Sequence, residues 1–543
     1  MANPKSRPCD EATIRAVRST DCAGSSKPWV LAVTIMASTI SYIDESVVNI
    51  ALPTIEADLK ASAATVQWLV NAYMLSLTAL VLIGGAAGDQ LGRRRIFIAG
   101  TAIFALASLW CGLSNDIAQL ILARAIQGAG AALLIPCSLA IIGATFDESE
   151  RGKAIGTWAG FSAISAAFGP VLGGWIVDHV SWRWIFLINP FIALPAVWIA
   201  LRHVPESRDA QAAQGLDWRG ALLALTGLGS LVYGLIAAPG RGWGDITVVT
   251  SLAAGVLLLA AFVWEEARSA APMMPLKLFS SRMFAGVNML TLLLYAGLGG
   301  AFFFLPFLLI QVHGFSATLA GAAFLPFTII MAVLSRWSGG LIDRFGARLP
   351  LIVGPAITAA GFMLLPMAGG SYAALFIPMF VLGFGMAITV APLTTSVINA
   401  VPERQTGVAS GINNAVASLA SLLAVAILGA VALDAHNRAL DRRVAAQPLS
   451  AETRQAVASA HGKFAAEFTI QGEERKVAET IVKQSLNDSI ALVMWLAAAL
   501  ALAASICAAL TIRPQRRGTA QAVSPASDDQ PHIHGRAAFA FSS

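Results

Sequence analysis

Asp44 and Glu45 stand side by side inside an apolar stretch at residues 28–53, and Arg124 stands inside another at 117–144. A charged side chain in hydrocarbon costs roughly 3 kcal/mol or more, so a chain keeps one mainly where it meets a partner or a cavity. Counted from the same side of a membrane, Arg124 lies about seven residues in, roughly 10 Å deep at 1.5 Å per residue, and Asp44 about nine residues in, roughly 13 Å deep. Those depths allow a direct or water-bridged ion pair. Such a pair reads either as a static structural contact or as a group whose proton affinity changes when the partners separate. Consecutive helical residues point about 100° apart, so Glu45 cannot share the direction of Asp44. It shares a face with Asn49. It reads either as the acid of a cavity that attracts cations or as a carboxyl tied up in an interhelical hydrogen bond. Glu45, Asn49, Asn71 and Gln127 are the polar groups expected to line a substrate cavity.

Groups at such depths need helices that cross a bilayer. Of the 543 residues, 57% are hydrophobic and only 12% charged, more apolar surface than a water-soluble core requires. Lipid offers the backbone no hydrogen bonds, so spanning segments are helices or closed barrels. Continuous apolar runs exclude the alternating pattern of a barrel strand, and the chain reads as an all-α polytopic membrane protein. Runs long enough to span fall at 28–53, 65–87, 96–114, 117–144, 154–178, 183–201, 218–238, 246–267, 283–311, 318–337, 349–368, 371–399, 407–433 and 489–512.

Fourteen spans place both termini on one side. Loops on that side hold Arg93, Arg94, Arg95, Arg151, Lys153, Arg202, Arg208, Arg219, Arg268, Lys277, Arg282, Arg344, Arg348 and Arg404, whereas the short opposite loops hold Lys60, Arg183 and Arg241. Excess Lys and Arg marks the cytoplasmic side, so 1–27 and 513–543 read as cytoplasmic tails. The net charge of +5 belongs to those loops and calls for no nucleic acid. Residues 1–27 are polar, and no cleavable signal peptide is expected. Arg exceeds Lys and Ala is abundant, which suggests a GC-rich bacterial genome and hence the bacterial inner membrane. Cys9, Cys22, Cys111, Cys137 and Cys507 lie in tails or inside spans and indicate no disulfide framework. One connection is long, at 434–488; it reads as a solvated linker or as a cap, with helical stretches at Ser450–His461 and Glu473–Gln484. The tail after Arg513 is polar, of the composition of a disordered segment, and its His532 and His534 lack the further ligands of a metal site.

A repeat organises the chain. Gly85-x-x-x-Asp89-x-x-Gly92, followed by Arg93, Arg94 and Arg95, has the spacing of Gly339-x-x-x-Asp343-x-x-Gly346, followed by Arg348. Both copies lie between the second and third spans of a six-span unit. Parallel repeats of this kind mark transporters built as two halves around a midplane site. The halves are then 28–201 and 283–512, with 218–267 an inserted pair. In each copy the glycines are expected to let helix ends approach. Asp89 and Asp343 are expected to bind a helix N-terminus or an arginine, latching a gate. In span 5, Gly169-Pro170-x-x-Gly173-Gly174 is expected to break helix regularity and to form a sealed seam between the halves.

At this point the chain resembles the major facilitator superfamily, specifically its fourteen-span drug:proton antiporter branch, over nearly all of 28–512. Tyr42 to Pro53 resembles the branch's first-span signature, Gly85–Arg95 the loop motif, Arg124 to Gly130 the fourth-span motif, and Gly156 to Gly174 the antiporter motif, with Ser165 where glycine is usual. Trp182 to Pro190 and Pro272 to Phe279 are also similar to that branch. Many members carry an Arg-Gln pair in span 13, where this chain has Asn413 to Ser418 without charge. The resemblance implies export of an organic compound, amphipathic or cationic, in exchange for protons. Asp44, Glu45 and Arg124 would couple the proton, no cofactor would be needed beyond the proton gradient, and the protein would act as a monomer in the lipid bilayer. A dedicated exporter of one endogenous metabolite, or an importer, is the alternative within transport. Against a membrane enzyme or receptor, no nucleophile–base grouping or metal cluster is seen. Nor is there a phosphate-binding glycine loop with its lysine.

Overall fold

The structure of the chain, a computed structural model, describes residues 20–209, 215–269, 272–402, 405–465 and 470–512. Both expected tails fall largely outside this range, and with them the His532 and His534 pair. The first helix begins at Thr20 rather than near residue 28.

Among the described residues all regular structure is helical. Helices α1 (Thr20–Asp58), α2 (Ala63–Leu91), α3 (Arg93–Leu113), α4 (Ile117–Thr145), α5 (Glu148–His179) and α6 (Trp184–His203) pack mainly on one another. A hairpin follows, α7 (Trp218–Arg241) and α8 (Ile246–Arg268). The second group holds α9 (Arg282–Phe307), α10 (Ala317–Ala322), α11 (Leu325–Gly339), α12 (Leu341–Phe345), α13 (Arg348–Leu364), α14 (Phe376–Asn399), α15 (Thr406–Ala446), α16 (Ala451–Ala458) and α17 (Gly472–Thr511). Among the described residues thirteen segments are long and apolar enough to cross a membrane, α10 and α11 counting as one. The fourteenth expected span is the shorter apolar helix α13, of 17 residues, about 26 Å long. Polar residues set several helix starts. Ser62 caps α2 in a reciprocal box with Thr65, and Asp116 accepts from the Gln119 N–H, 2.9 Å, at the start of α4, each filling a donor the helix leaves open.

The 434–488 connection is a cap, not a linker. Helices α15 and α17 run past their apolar stretches and enclose a small core of Leu440, Val457, Ala460, Ala478 and Ile481. The turn beyond α16 then docks on the first group. The Ala63 N–H donates to Gly462 O, 2.9 Å, and Glu56 Oε1 accepts from the Phe464 and Ala465 N–H groups at 2.8 and 3.1 Å. Phe464 also packs edge-on against Phe304 and Phe307 of α9. We call this side the cap face and the opposite side the terminus face.

On the cap face the two halves close together. A Cβ on Gly174 of α5 would lie 2.2 Å from Ala317 O, and one on Gly321 of α10 would lie 2.0 Å from Pro170 O, so only bare backbone fits at this crossing. Asp178 accepts from the Ala317 and Thr318 N–H groups at 3.0 and 2.7 Å and from the Thr318 hydroxyl. The expected seam is therefore present, but α5 runs unbroken through Pro170. Its glycines serve contact, with Gly169 and Gly173 admitting Ser46 and Val47 of α1. Toward the terminus face, Gly152, Gly156 and Gly160 have no neighbour within 4 Å of where a Cβ would stand.

Candidate functional site

Asp44 and Arg124 form the ion pair expected from their depths, with Arg124 Nη1 donating to Asp44 Oδ2. Both are buried, at 1% and 2% exposure. Gln127, one turn along α4, donates Nε2 to Asp44 Oδ1 and to Ser108 Oγ, each at 2.7 Å, and accepts from Arg124 Nη1 at 2.7 Å. Asn189 of α6 donates to the same Oδ1 and the same hydroxyl, both at 3.1 Å. Arg124 Nε donates to Leu69 O of α2 at 3.4 Å, and its guanidinium lies 4.3 Å from the Tyr73 ring centroid. Three helices thus meet on one carboxylate, and the network around it reaches two more. A buried ion pair is tolerated only when its remaining lone pairs and protons are also satisfied, and here both oxygens of Asp44 have donors.

Two of the residues expected to line a cavity are buried in this arrangement. Gln127 is wholly buried, because the Asp44 network consumes its amide. Asn71 is wholly buried too. It lies one turn from Gln67, whose amide meets Gly429 of α15. Glu45 and Asn49 are half-buried on α1, and Asn49 donates to the backbone oxygen of Glu45 at 3.2 Å. The Glu45 carboxylate itself has no hydrogen-bond or ion-pair partner among the described residues, so the interhelical hydrogen bond considered for it is not formed. In the second half Asn413 donates to Asn288 Oδ1 and Thr291 Oγ1 at 3.1 and 2.7 Å, an uncharged link between α15 and α9.

The loop motif is built from its own half. Asp89 Oδ1 accepts from Arg93 Nε and Nη2 at 2.9 and 2.7 Å, the arginine contact expected of it, made within one turn. Gly92 has φ +115°, and a Cβ there would also lie 2.8 Å from the Glu206 carboxylate. Glu206 accepts from the Arg94 N–H at 3.0 Å and stands 3.6 Å from Arg95 Nε. The segment after α6 completes the contact, with the Arg93 N–H donating to Ser207 O and the Asp209 N–H to Asp89 O. Gly85 makes only ordinary contact with Pro136, while Gly84 is the tight position, against Ala132 O. In the second copy Gly346 likewise has positive φ, +71°. Asp343 lies in α12, and its side chain is outside the described residues.

Two helical groups with matching turns in each, the first holding a buried ion pair, suit a carrier that opens alternately to either side. The Major Facilitator Superfamily profile matches residues 34–425. The chain belongs to this superfamily. It is 33% identical over 513 residues to the tetracenomycin C resistance and export protein of Streptomyces glaucescens, covering 92% of this chain and 95% of that one. It is 37% identical over 429 residues to a puromycin resistance protein of Streptomyces alboniger, covering 77% and 85%. A solved bacterial homolog of the human lysosomal transporter Spinster, in an inward-facing and occupied conformation, aligns with TM-score 0.64 at 16% identity over 90% of this chain and 97% of that one. A D-xylose-proton symporter aligns with TM-score 0.57 at 15% identity, covering 90% and 99%. These structural likenesses show the major facilitator fold. Superfamily membership makes the protein a membrane transporter of small molecules, not an enzyme.

Proposed function

We propose that this transporter exports amphipathic or cationic organic compounds in exchange for protons. In this reading it works as a monomer in the bacterial inner membrane with its terminus face in the cytoplasm. The observation that carries the reading is the pairing of opposites at one point of α1. Asp44 is fully partnered and buried, while its neighbour Glu45 is an unpartnered acid at the edge of accessible space. A proton on Asp44 cancels its attraction for Arg124 and leaves a buried cation that must find other acceptors, so protonation and helix movement are linked. Glu45 supplies a negative group that a cationic substrate can meet before the proton arrives. One observation outside the site supports export. Relatives are named for resistance to tetracenomycin C and puromycin, and another, of Amycolatopsis lactamdurans, is a cephamycin export protein. The excess of Arg and Lys on the terminus-face loops supports the cytoplasmic assignment.

Reconstituted vesicles with an imposed pH gradient test the reading. Proton flux that appears only with substrate, and substrate flux that reverses with the gradient, is the expected result. Substrate movement indifferent to the gradient would sink the proton coupling and leave a transporter driven otherwise.

A further inference from the structure

The closed seam on the cap face contains an anomaly. Gln67 and Asn71 are both 0% exposed, and all four side-chain polar atoms, Gln67 Oε1 and Nε2 and Asn71 Oδ1 and Nδ2, have no hydrogen-bond partner in the protein among the described residues. They sit one turn apart on α2, on one face. That face meets the other half, since a Cβ on Gly429 of α15 would stand 2.4 Å from Gln67 Oε1. Nearby contacts hold the seam shut. Asp178 grips the start of α10, Glu56 grips the cap turn, and Ala63, at the start of α2, bonds Gly462 of the cap. Latches and unpaired amides therefore act against each other within the same closure.

An unpaired buried amide bears its full desolvation penalty, whereas an apolar group of the same shape bears none. Both penalties are relieved when α2 and α15 part and water reaches the amides. We propose that Gln67 and Asn71 are the opening element of the cap-face gate: buried without a protein partner in the closed state, they become the hydrated polar lining of the exit path when the halves separate there. The proposal takes from the export reading only the direction of travel; that the gate opens follows from the family.

The test uses the full-length protein with spin labels on the cap-face ends of α2 and α15, and the double variant Gln67→Met with Asn71→Leu, close in shape and apolar. The closed-state fraction is expected to rise roughly tenfold or more relative to the open one. Thermal stability should rise with it and export should slow, while substrate binding from the terminus face stays the same. In Gln67→Cys, labelling by a membrane-impermeant thiol reagent from the cap face should require conditions that open the gate. A closed-state fraction that is unchanged or lower in the double variant overturns the proposal and makes the amides satisfied structural groups. Labelling of Gln67→Cys at equal rates in closed and open conditions also overturns it. These readouts need no proton coupling, so failure of the antiport reading would leave them interpretable.

Discussion

Asp44 accepts three hydrogen bonds from three side chains, and the cost of disturbing it depends on what is left behind. Asp44→Asn keeps an acceptor oxygen and the shape but cannot bind and release a proton. It is expected to abolish gradient-driven export while binding of substrate stays within a few-fold, measured by flux in vesicles and by equilibrium binding. Arg124→Ala is different in kind, because it strands a buried carboxylate, at a cost of about 3–5 kcal/mol. Its thermal unfolding temperature should drop sharply as well as its transport. Glu45→Gln should leave the fold alone, since no contact of the carboxylate is lost. Export of cationic compounds should fall more than that of neutral ones, and equal loss for both classes would assign Glu45 a structural role. The ion pair was legible because charge inside an apolar run is rare and depth along a helix can be counted. Ser108 and Tyr73 were not, as a serine or a tyrosine in a span is ordinary until its neighbours are known. The burial of Asn71 and Gln127 was hidden for a related reason: a polar residue announces its depth, but not which way its helix is rotated against the next.

At the level of elements, the α2–α3 turn separates two residues that a motif treats alike. The Asp89–Arg93 pair is partly solvent-exposed, with Asp89 37% exposed at its side chain, and exposed pairs contribute about 0–1 kcal/mol. Gly92 combines a left-handed backbone with a carboxylate 2.8 Å from any added Cβ, and the conformation alone costs a non-glycine residue about 1–2 kcal/mol. Gly92→Ala should therefore lower thermal stability clearly more than Asp89→Asn, which should fold normally. Scanning calorimetry or fluorescence melting in detergent checks the order, and a larger loss for Asp89→Asn would mean that Asp89 has a partner in another state of the cycle. The role of Glu206 in this turn was hidden from sequence because it lies far along the chain in a polar segment. The glycine motif of α5 was legible as a seam, but proline in its middle suggested a break. Packing on α1 and α10 keeps the helix continuous.

For the whole molecule, hydropathy revealed the all-helical fold, a property of local sequence, and the repeated turn is what suggests two halves. The cap was ambiguous, because its balanced charge is equally suited to solvent and to docking. Its attachment through Glu56 spans the halves, so Glu56→Ala should free the turn at 462–465. Hydrogen exchange of the Phe464 and Ala465 amides is expected to accelerate at least tenfold while amides in the core of α9 stay protected. Unchanged protection would place the cap's attachment in the Phe464 ring packing instead.

The hairpin between the halves has a separate consequence. Helix α7 touches both α2 and α15, but α8 packs almost entirely on α7, and of its residues only Val248, Gly255 and Glu266 are buried. Selection on α8 is then mostly for bilayer thickness and greasiness. In a population of functional variants its lipid-facing positions, such as Val256 and Leu257, should drift freely among apolar residues. Gly255, whose added Cβ would stand 2.8 Å from Leu231 N, should stay fixed. The hairpin would thus record ancestry on one face and architecture on the other.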